Sequence, residues 1–261
     1  MDKLYVIKIG GQIINDPARL TAFLKQFSSI NDHKILVHGG GKLATDLATK
    51  LNIPQQMVEG RRITDAETLN IITMVYAGLI NKSIVAELQG LGSNSIGLSG
   101  ADGNLVLAHK RISGNLDYGF AGDIDKVNSA FLINLLKQNI TPVICPVTHD
   151  QKGQLLNTNA DTIAQEIAKA VAGMYEVVLV YGFEKKGVLQ DLQDENSLIR
   201  KINAAEYNFL KQESVIHSGM IPKIDNAFAA ISNGVKQVII GEAEDLDALI
   251  HGKTGTVIYN D

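Results

Sequence analysis

Two lysines in this sequence stand where a lysine is costly unless an anion is close. Lys8 sits near the end of the otherwise apolar run Leu4-Tyr-Val-Ile-Lys-Ile9, where burial penalises an unpaired ammonium. Lys223 follows Pro222 in Ser218-Gly-Met-Ile-Pro-Lys223, at the start of a helix pattern, so its charge opposes the helix dipole. Asp161 is the reverse case. In Asn157-Thr-Asn-Ala-Asp161 the spacing puts Asn159 at an N-cap and the acid in the first helical turn, where the dipole favours it. On local grounds alone Asp161 reads equally well as a simple capping acid. Two glycine turns complete the set. Lys8-Ile-Gly-Gly11 ends the first strand, and His38-Gly-Gly-Gly41 ends the second and opens a helix. Glycine lets backbone N–H groups approach an anion closely, and a helix N-terminus adds free donors. Such turns also serve merely to swing a strand into a helix. Both lie at the carboxyl ends of strands, where open α/β sheets bind ligands. Cations, backbone donors and one well-placed acid are the inventory that phosphoryl transfer asks of a protein.

The common phosphate signatures are absent. Gly41-Lys42 is followed by Leu43 and not Ser or Thr, and the position five before Gly41 is Leu36, so there is no P-loop. No Gly-x-Gly-x-x-Gly follows the first strand, which argues against a dinucleotide site. Net charge is −4 over 261 residues with no Lys/Arg cluster, so no nucleic-acid partner is expected. No uninterrupted apolar run approaches the roughly 20 residues of a membrane span, and no membrane partner is expected either. The opening residues read as a strand and not as a signal peptide. Cys145, the single cysteine, lies in Pro142-Val-Ile-Cys-Pro146 and reads as a buried structural thiol in a reducing cytoplasm.

The elements that must position these residues alternate along the chain. Apolar runs predict strands at Leu4–Ile9, Lys34–His38, Ser95–Ser99, Thr141–Cys145, Glu176–Val180 and Gln237–Ile240. Helical periodicity covers Pro17–Phe27, Lys42–Leu51, Ala66–Leu91, Ser129–Asn139, Ala160–Ala172, Pro222–Asn233 and Ala243–Ile250. Continuous Val/Ile/Leu strands between helices predict an α/β fold, with a mostly parallel sheet covered on both faces. Leu105–Arg111 and Phe120–Val127 read as a β-hairpin insertion, with Gln154–Leu156 and Val188–Leu189 as short edge strands. The softest place for a lobe boundary is Gly173, dividing residues 1–173 from 174–261.

Together these segments resemble the amino-acid kinase family. The resemblance covers nearly the whole chain. It runs through Lys8-Ile-Gly-Gly11, Val37-His-Gly-Gly-Gly41, Gly60-Arg-Arg-Ile-Thr-Asp65, Gly97-Leu-Ser-Gly100, Asn157-Thr-Asn-Ala-Asp161 and Gly219-Met-Ile-Pro-Lys223. It implies a three-layer αβα sandwich with an acyl-amino-acid lobe at residues 1–173 and a nucleotide lobe at 174–261. It implies ATP with Mg²⁺ as the phosphoryl donor. The acceptor it implies is the γ-carboxylate of an N-acyl-L-glutamate in arginine biosynthesis, N-acetyl by default and N-succinyl by the same chemistry. By the resemblance, Lys8 and Lys223 flank the transferring phosphoryl group and Asp161 holds both lysines. Gly11 and Gly40 donate backbone hydrogen bonds to it, Gly40 and Gly41 line the amino-acid site, and Asn157 binds near it. Arg62 clamps the α-carboxylate, a task its planar fork suits. A γ-carboxylate is already ionised at pH 7, so this chemistry needs no general base. A catalytically silent binding protein on the same fold is the other reading, against which the presence of Lys8, Asp161 and Lys223 together stands.

The chain departs from the family pattern in two places. Tyr181-Gly-Phe-Glu-Lys-Lys-Gly187 replaces a usual Thr/Ser-Asp pair beside the nucleotide, and Arg61 stands where leucine is common. A homodimer is expected, because Leu69, Ile71, Ile72, Val75, Tyr76, Leu79 and Ile80 give one helix more apolar surface than a single stripe needs. Arginine-sensitive members carry an extra N-terminal helix. Here Lys8 already belongs to the first strand, so insensitivity to arginine is expected.

Overall fold

Eight strands form the central sheet of the computed structural model, which describes residues 1–58, 61–114, 116–183, 185–191, 193–194, 196–213, 215–216 and 220–260. Their spatial order is Lys201–Ile202, Thr256–Tyr259, Gln237–Glu242, Glu176–Phe183, Lys3–Ile9, His33–His38, Thr141–Ile144, Ser95–Leu98. All neighbours run parallel except Gln237–Glu242 with Thr256–Tyr259. The first strand is the switch point. From it the chain builds outward through His33–His38 on one side, and later through Glu176–Phe183 on the other. A crevice at the carboxyl ends of these strands is where such a sheet takes a ligand.

Strand periodicity sorts the core into two halves. Leu4 and Val6 face the layer of Ser129–Lys137, Ala160–Val171 and Ile221–Ser232, in one cluster with Ile163, Ile167 and Ile224. Tyr5, Ile7 and Ile9 face the opposite layer, with Phe23, Phe27, Ile72 and Leu246. Each fully buried side chain of this size contributes about 1.5–3 kcal/mol of transfer free energy. The Pro17–Ser28 helix starts where its sequence says it should. Asp16 accepts from the N–H groups of Ala18 at 2.9 Å and Arg19 at 3.1 Å, and Pro17 fills the first helical position.

Six predicted strands and seven predicted helical stretches all form, with ends shifted by a few residues. The largest shift is at Glu176–Phe183, which carries its ladder three residues beyond the predicted end at Val180. The long helix is built in three parts, Ala66–Ile72, a π-helical middle at Thr73–Ile80, and Asn81–Gly90. Among the described residues it is the one helix long and apolar enough to cross a membrane by length and composition. Its apolar side, Ile71, Ile72, Val75, Ile80, Ile84 and Leu88, belongs to the second core cluster.

The hairpin insertion forms as Val106–Ser113 and Leu116–Val127, closing a small barrel with Val147–His149 and Leu155–Asn157. One bridge ties this barrel to the strand Arg61–Ile63. Thr64 donates its N–H to Tyr118 O at 3.1 Å and accepts from Phe120 N at 2.7 Å, straddling Gly119. Gly119 has φ +64°, and a Cβ there would overlap the Thr64 carbonyl. Gly119→Val is therefore expected to lower the unfolding free energy by about 2 kcal/mol. The measurement is the denaturant midpoint at unchanged slope, and a wild-type midpoint would contradict this account of the bridge.

Candidate active site

At the carboxyl end of the first strand, three charges meet. The Ala160–Val171 helix begins at Asn159, whose side chain accepts from Asp161 N at 2.8 Å and Thr162 N at 3.1 Å. That cap fixes Asp161 in the first turn, beside the end of the strand Lys3–Ile9. Lys8 Nζ lies 2.8 Å from Asp161 Oδ1, and Lys223 Nζ lies 3.2 Å from Asp161 Oδ2. Lys223 comes from the first turn of Ile221–Ser232, a helix whose N-cap, Met220, gives no side-chain hydrogen bond. Its ammonium also stands 5.4 Å from the centre of the Phe183 ring. The dipole penalty on Lys223 is thus offset by the aspartate of another helix.

Burial would raise the pKa of the Asp161 carboxyl, but the Lys8 and Lys223 ammoniums outweigh it and hold it below the usual carboxylate range. A carboxyl depressed in the folded state stabilises the fold above its unfolded pKa, and that stabilisation is lost as pH falls through the folded value. The stability difference between wild type and Asp161→Asn should therefore be present at pH 7 and shrink once pH drops below about 4. Paired urea titrations at both pH values check this. A difference that persists unchanged in acid would remove the ion pairs as its cause.

The two glycine turns flank this centre. Gly11 opens the short helix Gly11–Ile14, and Gly39 N donates 3.0 Å to Ile9 O, stitching the second turn to the first strand. Gly40 has φ +151°, a conformation open to glycine. A Cβ there would overlap Ile80 Cδ1 and press on the Tyr76 ring at 3.2 Å, so the π-helical segment closes over this turn. Gly41 is the first residue of the Gly41–Lys50 helix.

Arg62 reaches that helix start from the strand Arg61–Ile63. Its Nη2 donates to Gly41 O at 3.1 Å and Thr45 Oγ1 at 2.9 Å, and its Nη1 donates to Gln55 Oε1. A guanidinium at the positive end of a helix is unfavourable by itself, which marks the place for an anion. Asn157 Nδ2 donates to Thr64 Oγ1 at 3.0 Å, and Thr64 Oγ1 donates to Arg62 O at 3.0 Å, so a hydroxyl links the two predicted substrate residues. A cavity of about 220 Å³ opens among Gly40, Gly41, Arg62, Tyr76, Asn157 and Asn159, with no Asp or Glu among the described residues of its wall. A larger hollow of about 570 Å³ lies at the opposite end of the strands, near Asp2, His33 and Asn94. It gathers none of the predicted residues.

Lys8, Asp161 and Lys223 thus come together as one group, and Gly40, Gly41, Arg62 and Asn157 line one cavity. Gly11 lies at the neighbouring turn. Gly60, Glu184, Ser218 and Gly219, named in the motifs above, fall outside the described residues. Sequence reasoning missed Gln55, Thr45 and Thr64 as holders of Arg62 and Asn157, and Tyr76 as cavity wall. Thr64 stood within a quoted motif. Gln55 and Thr45 carried no local signal, because only the tertiary fold brings them to the guanidinium.

This combination of a switch-point crevice, two glycine turns and a bridged lysine pair defines a phosphoryl-transfer class. The chain belongs to the amino acid kinase family, which it matches over residues 3–242. Within that family it is similar to the acetylglutamate kinase of Cytophaga hutchinsonii, at 58% identity over 252 residues and 96% of each chain. It is also 52% identical over 257 residues to the acetylglutamate kinase of Phocaeicola vulgatus, covering 98% of both. Among solved structures, N-acetylglutamate synthase of Neisseria gonorrhoeae complexed with coenzyme A and N-acetyl-glutamate superposes with a TM-score of 0.82 at 22% identity, over 100% of this chain and 60% of that one. That likeness speaks for the fold alone.

Proposed function

We propose that this chain is an ATP-dependent kinase that phosphorylates the γ-carboxylate of N-acetyl-L-glutamate, the acyl-phosphate-forming step of arginine biosynthesis. Likeness to acetylglutamate kinases over nearly the full length supports the substrate. The observation that carries the chemistry is Asp161 bridging Lys8 and Lys223, one residue beyond the Asn159–Ala160 wall of the Arg62 cavity.

The proposed roles follow from charge. Arg62 binds the α-carboxylate, with Asn157 beside it and the Gly40–Gly41 backbone as floor. The γ-carboxylate then points toward the lysines. Its oxygen attacks the γ-phosphorus of ATP, a new P–O bond forms, and the bond to the β-phosphate oxygen breaks to release ADP. Nucleophile and donor are both anionic. Lys8, Lys223 and the N–H groups of Gly11 and Gly40 offset that repulsion and stabilise the charge spread over the transferring group. Asp161 keeps the two ammoniums apart and aimed. Among the described residues no cluster of three acidic or His/Cys side chains gathers. Mg²⁺ is therefore proposed to arrive with ATP, held by phosphate oxygens and water. Residues 1–173 are proposed as the acyl-amino-acid lobe and 174–261 as the nucleotide lobe, with the segment after Phe183 beside the adenosine. A homodimer is proposed through the long helix, on which Met74 and Leu79 remain exposed while Leu69, Ile71, Ile72, Val75, Ile80, Ile84 and Leu88 are buried.

One observation favours a second acceptor. Arg61 borders the same cavity, and its guanidinium has no hydrogen-bond or ion-pair partner among the described residues. N-acetylglutamate has two carboxylates, one for Arg62 and one for the lysines, so Arg61 has a charge to spare for the third carboxylate of N-succinylglutamate.

Purified chain with Mg-ATP should yield an acyl phosphate from N-acetyl- or N-succinylglutamate, trapped by hydroxylamine as the hydroxamate. No product from either, in folded protein that binds ATP, would refute the function. Preference between the two, and its loss in Arg61→Leu, assigns the acyl group. Lys8→Ala and Lys223→Ala should each lower kcat by roughly 10²-fold or more, the scale of losing one preorganised charge contact. Arg62→Ala should act mainly by raising KM for the acyl-amino acid, as lost uniform binding does. An unchanged KM in that variant takes Arg62 out of the site.

A further inference from the structure

His38 is the last residue of its strand and fully buried, immediately before the glycine turn. A titratable ring there asks for a reason. Its Nδ1 lies 2.8 Å from Gly39 O, and its Nε2 lies 3.1 Å from Asn81 Nδ2. Two neighbours settle which way the Asn81 amide points. Asn81 Nδ2 lies 3.0 Å from Val143 O, which can only accept, and Asn81 Oδ1 lies 3.1 Å from Lys82 Nζ, which can only donate. The Lys82 ammonium is itself anchored by Gly97 O at 2.8 Å. The amide nitrogen therefore faces His38, so Nε2 must accept and the ring proton must sit on Nδ1. That proton is donated to the Gly39 carbonyl.

The peptide plane carries this constraint one atom group further. The carbonyl of Gly39 and the N–H of Gly40 belong to the same trans peptide and point in opposite directions. The Gly39 N–H is already tied to Ile9 O. With both polar groups of Gly39 anchored, the Gly40 N–H is held by the plane, and it has no acceptor of its own among the described residues. Gly40 also lines the cavity beside Arg62.

We propose that His38 is a positioning residue for phosphoryl transfer: its Nδ1–H pins the Gly39 carbonyl and thereby aims the Gly40 N–H at the transferring group, with Asn81 setting the tautomer. The inference rests on the reading of Gly40 as a phosphoryl donor contact. Its chemistry is that of a preorganised backbone donor, whose value lies in being aimed before the charge develops. A general-base role does not fit. The ring is sealed from solvent, the acceptor carboxylate has no proton to give up, and burial lowers the His38 pKa to about 4, so the ring is neutral at working pH.

Two amide replacements separate the two ring nitrogens. In His38→Asn the amide N–H falls near the place of Nδ1, whereas in His38→Gln it falls near the place of Nε2. His38→Asn should recover most of wild-type kcat, within roughly threefold, and His38→Gln should lose roughly tenfold or more, with KM for both substrates little changed in each. Equal kcat losses in the two variants, or effects confined to KM, would overturn the proposal. The unaltered chain provides a check that needs no variant to fold. With ¹⁵N-labelled histidine, the His38 ring should show a protonated Nδ1 and a bare Nε2 at pH 7, and the opposite tautomer or an imidazolium would overturn the proposal equally. A wild-type chain that turns over no N-acylglutamate would remove the kinase reading while leaving the tautomer result standing, so the two failures are distinct.

Discussion

Asp161 shared between Lys8 and Lys223 is the interaction on which the site depends. Neither lysine has a tolerable place without it, one being near the end of an apolar strand and the other at the wrong end of a helix dipole. A single carboxylate solves both problems and sets the spacing of two cations that would otherwise repel. It also joins three elements that are far apart in sequence, the first strand, the Ala160–Val171 helix and the Ile221–Ser232 helix. The sandwich brings these elements together because Leu4, Val6, Ile163, Ile167 and Ile224 share one core cluster. Packing of that half of the core and assembly of the charge centre are the same event.

The second half of the core does the corresponding work for the turn at Gly39–Gly41. Tyr76 and Ile80, on the π-helical stretch, close over Gly40 so tightly that no side chain fits there. π-helical segments often occur at functional sites, and here the segment packs directly on the glycine turn that lines the Arg62 cavity. Beneath the same turn, His38 and Asn81 supply a buried polar network whose donors and acceptors are all matched. Such networks specify one geometry because a half-satisfied alternative is costly.

Much of this was legible in the sequence because the constraints that produced it are local. An apolar strand with a lysine next to its end, an asparagine immediately before a helix pattern, and a triple glycine after a strand each state their requirement within a few residues. Lys8, Asn159 and Gly40 were readable for that reason. What could not be read was non-local or degenerate. Gln55 and Thr45 become holders of Arg62 only after the Gln56–Val58 and Arg61–Ile63 strands fold against the Gly41–Lys50 helix. The strand Val147–His149 has three residues, too short to carry a period, and its partners are the Leu155–Asn157 and Val106–Ser113 strands of the barrel. The π-helical middle uses the same apolar residues that an α-helix would, so its altered winding has no signature in composition.

The ribbon that carries Arg62 differs in kind from the rest of the site. Lys8 sits in a strand paired on both sides within an eight-stranded sheet, whereas Arg62 sits in one of two three-residue strands that pair with each other as a separate two-stranded sheet, tied to the barrel by the Thr64–Gly119 bridge. A strand paired on both sides inside a sheet opens only with the core around it, whereas a short two-stranded ribbon can open locally. The lysine side of the site is thus anchored in the whole central sheet, while the Arg62 side hangs on a short ribbon and the side-chain hydrogen bonds that tie it to the Gly41–Lys50 helix.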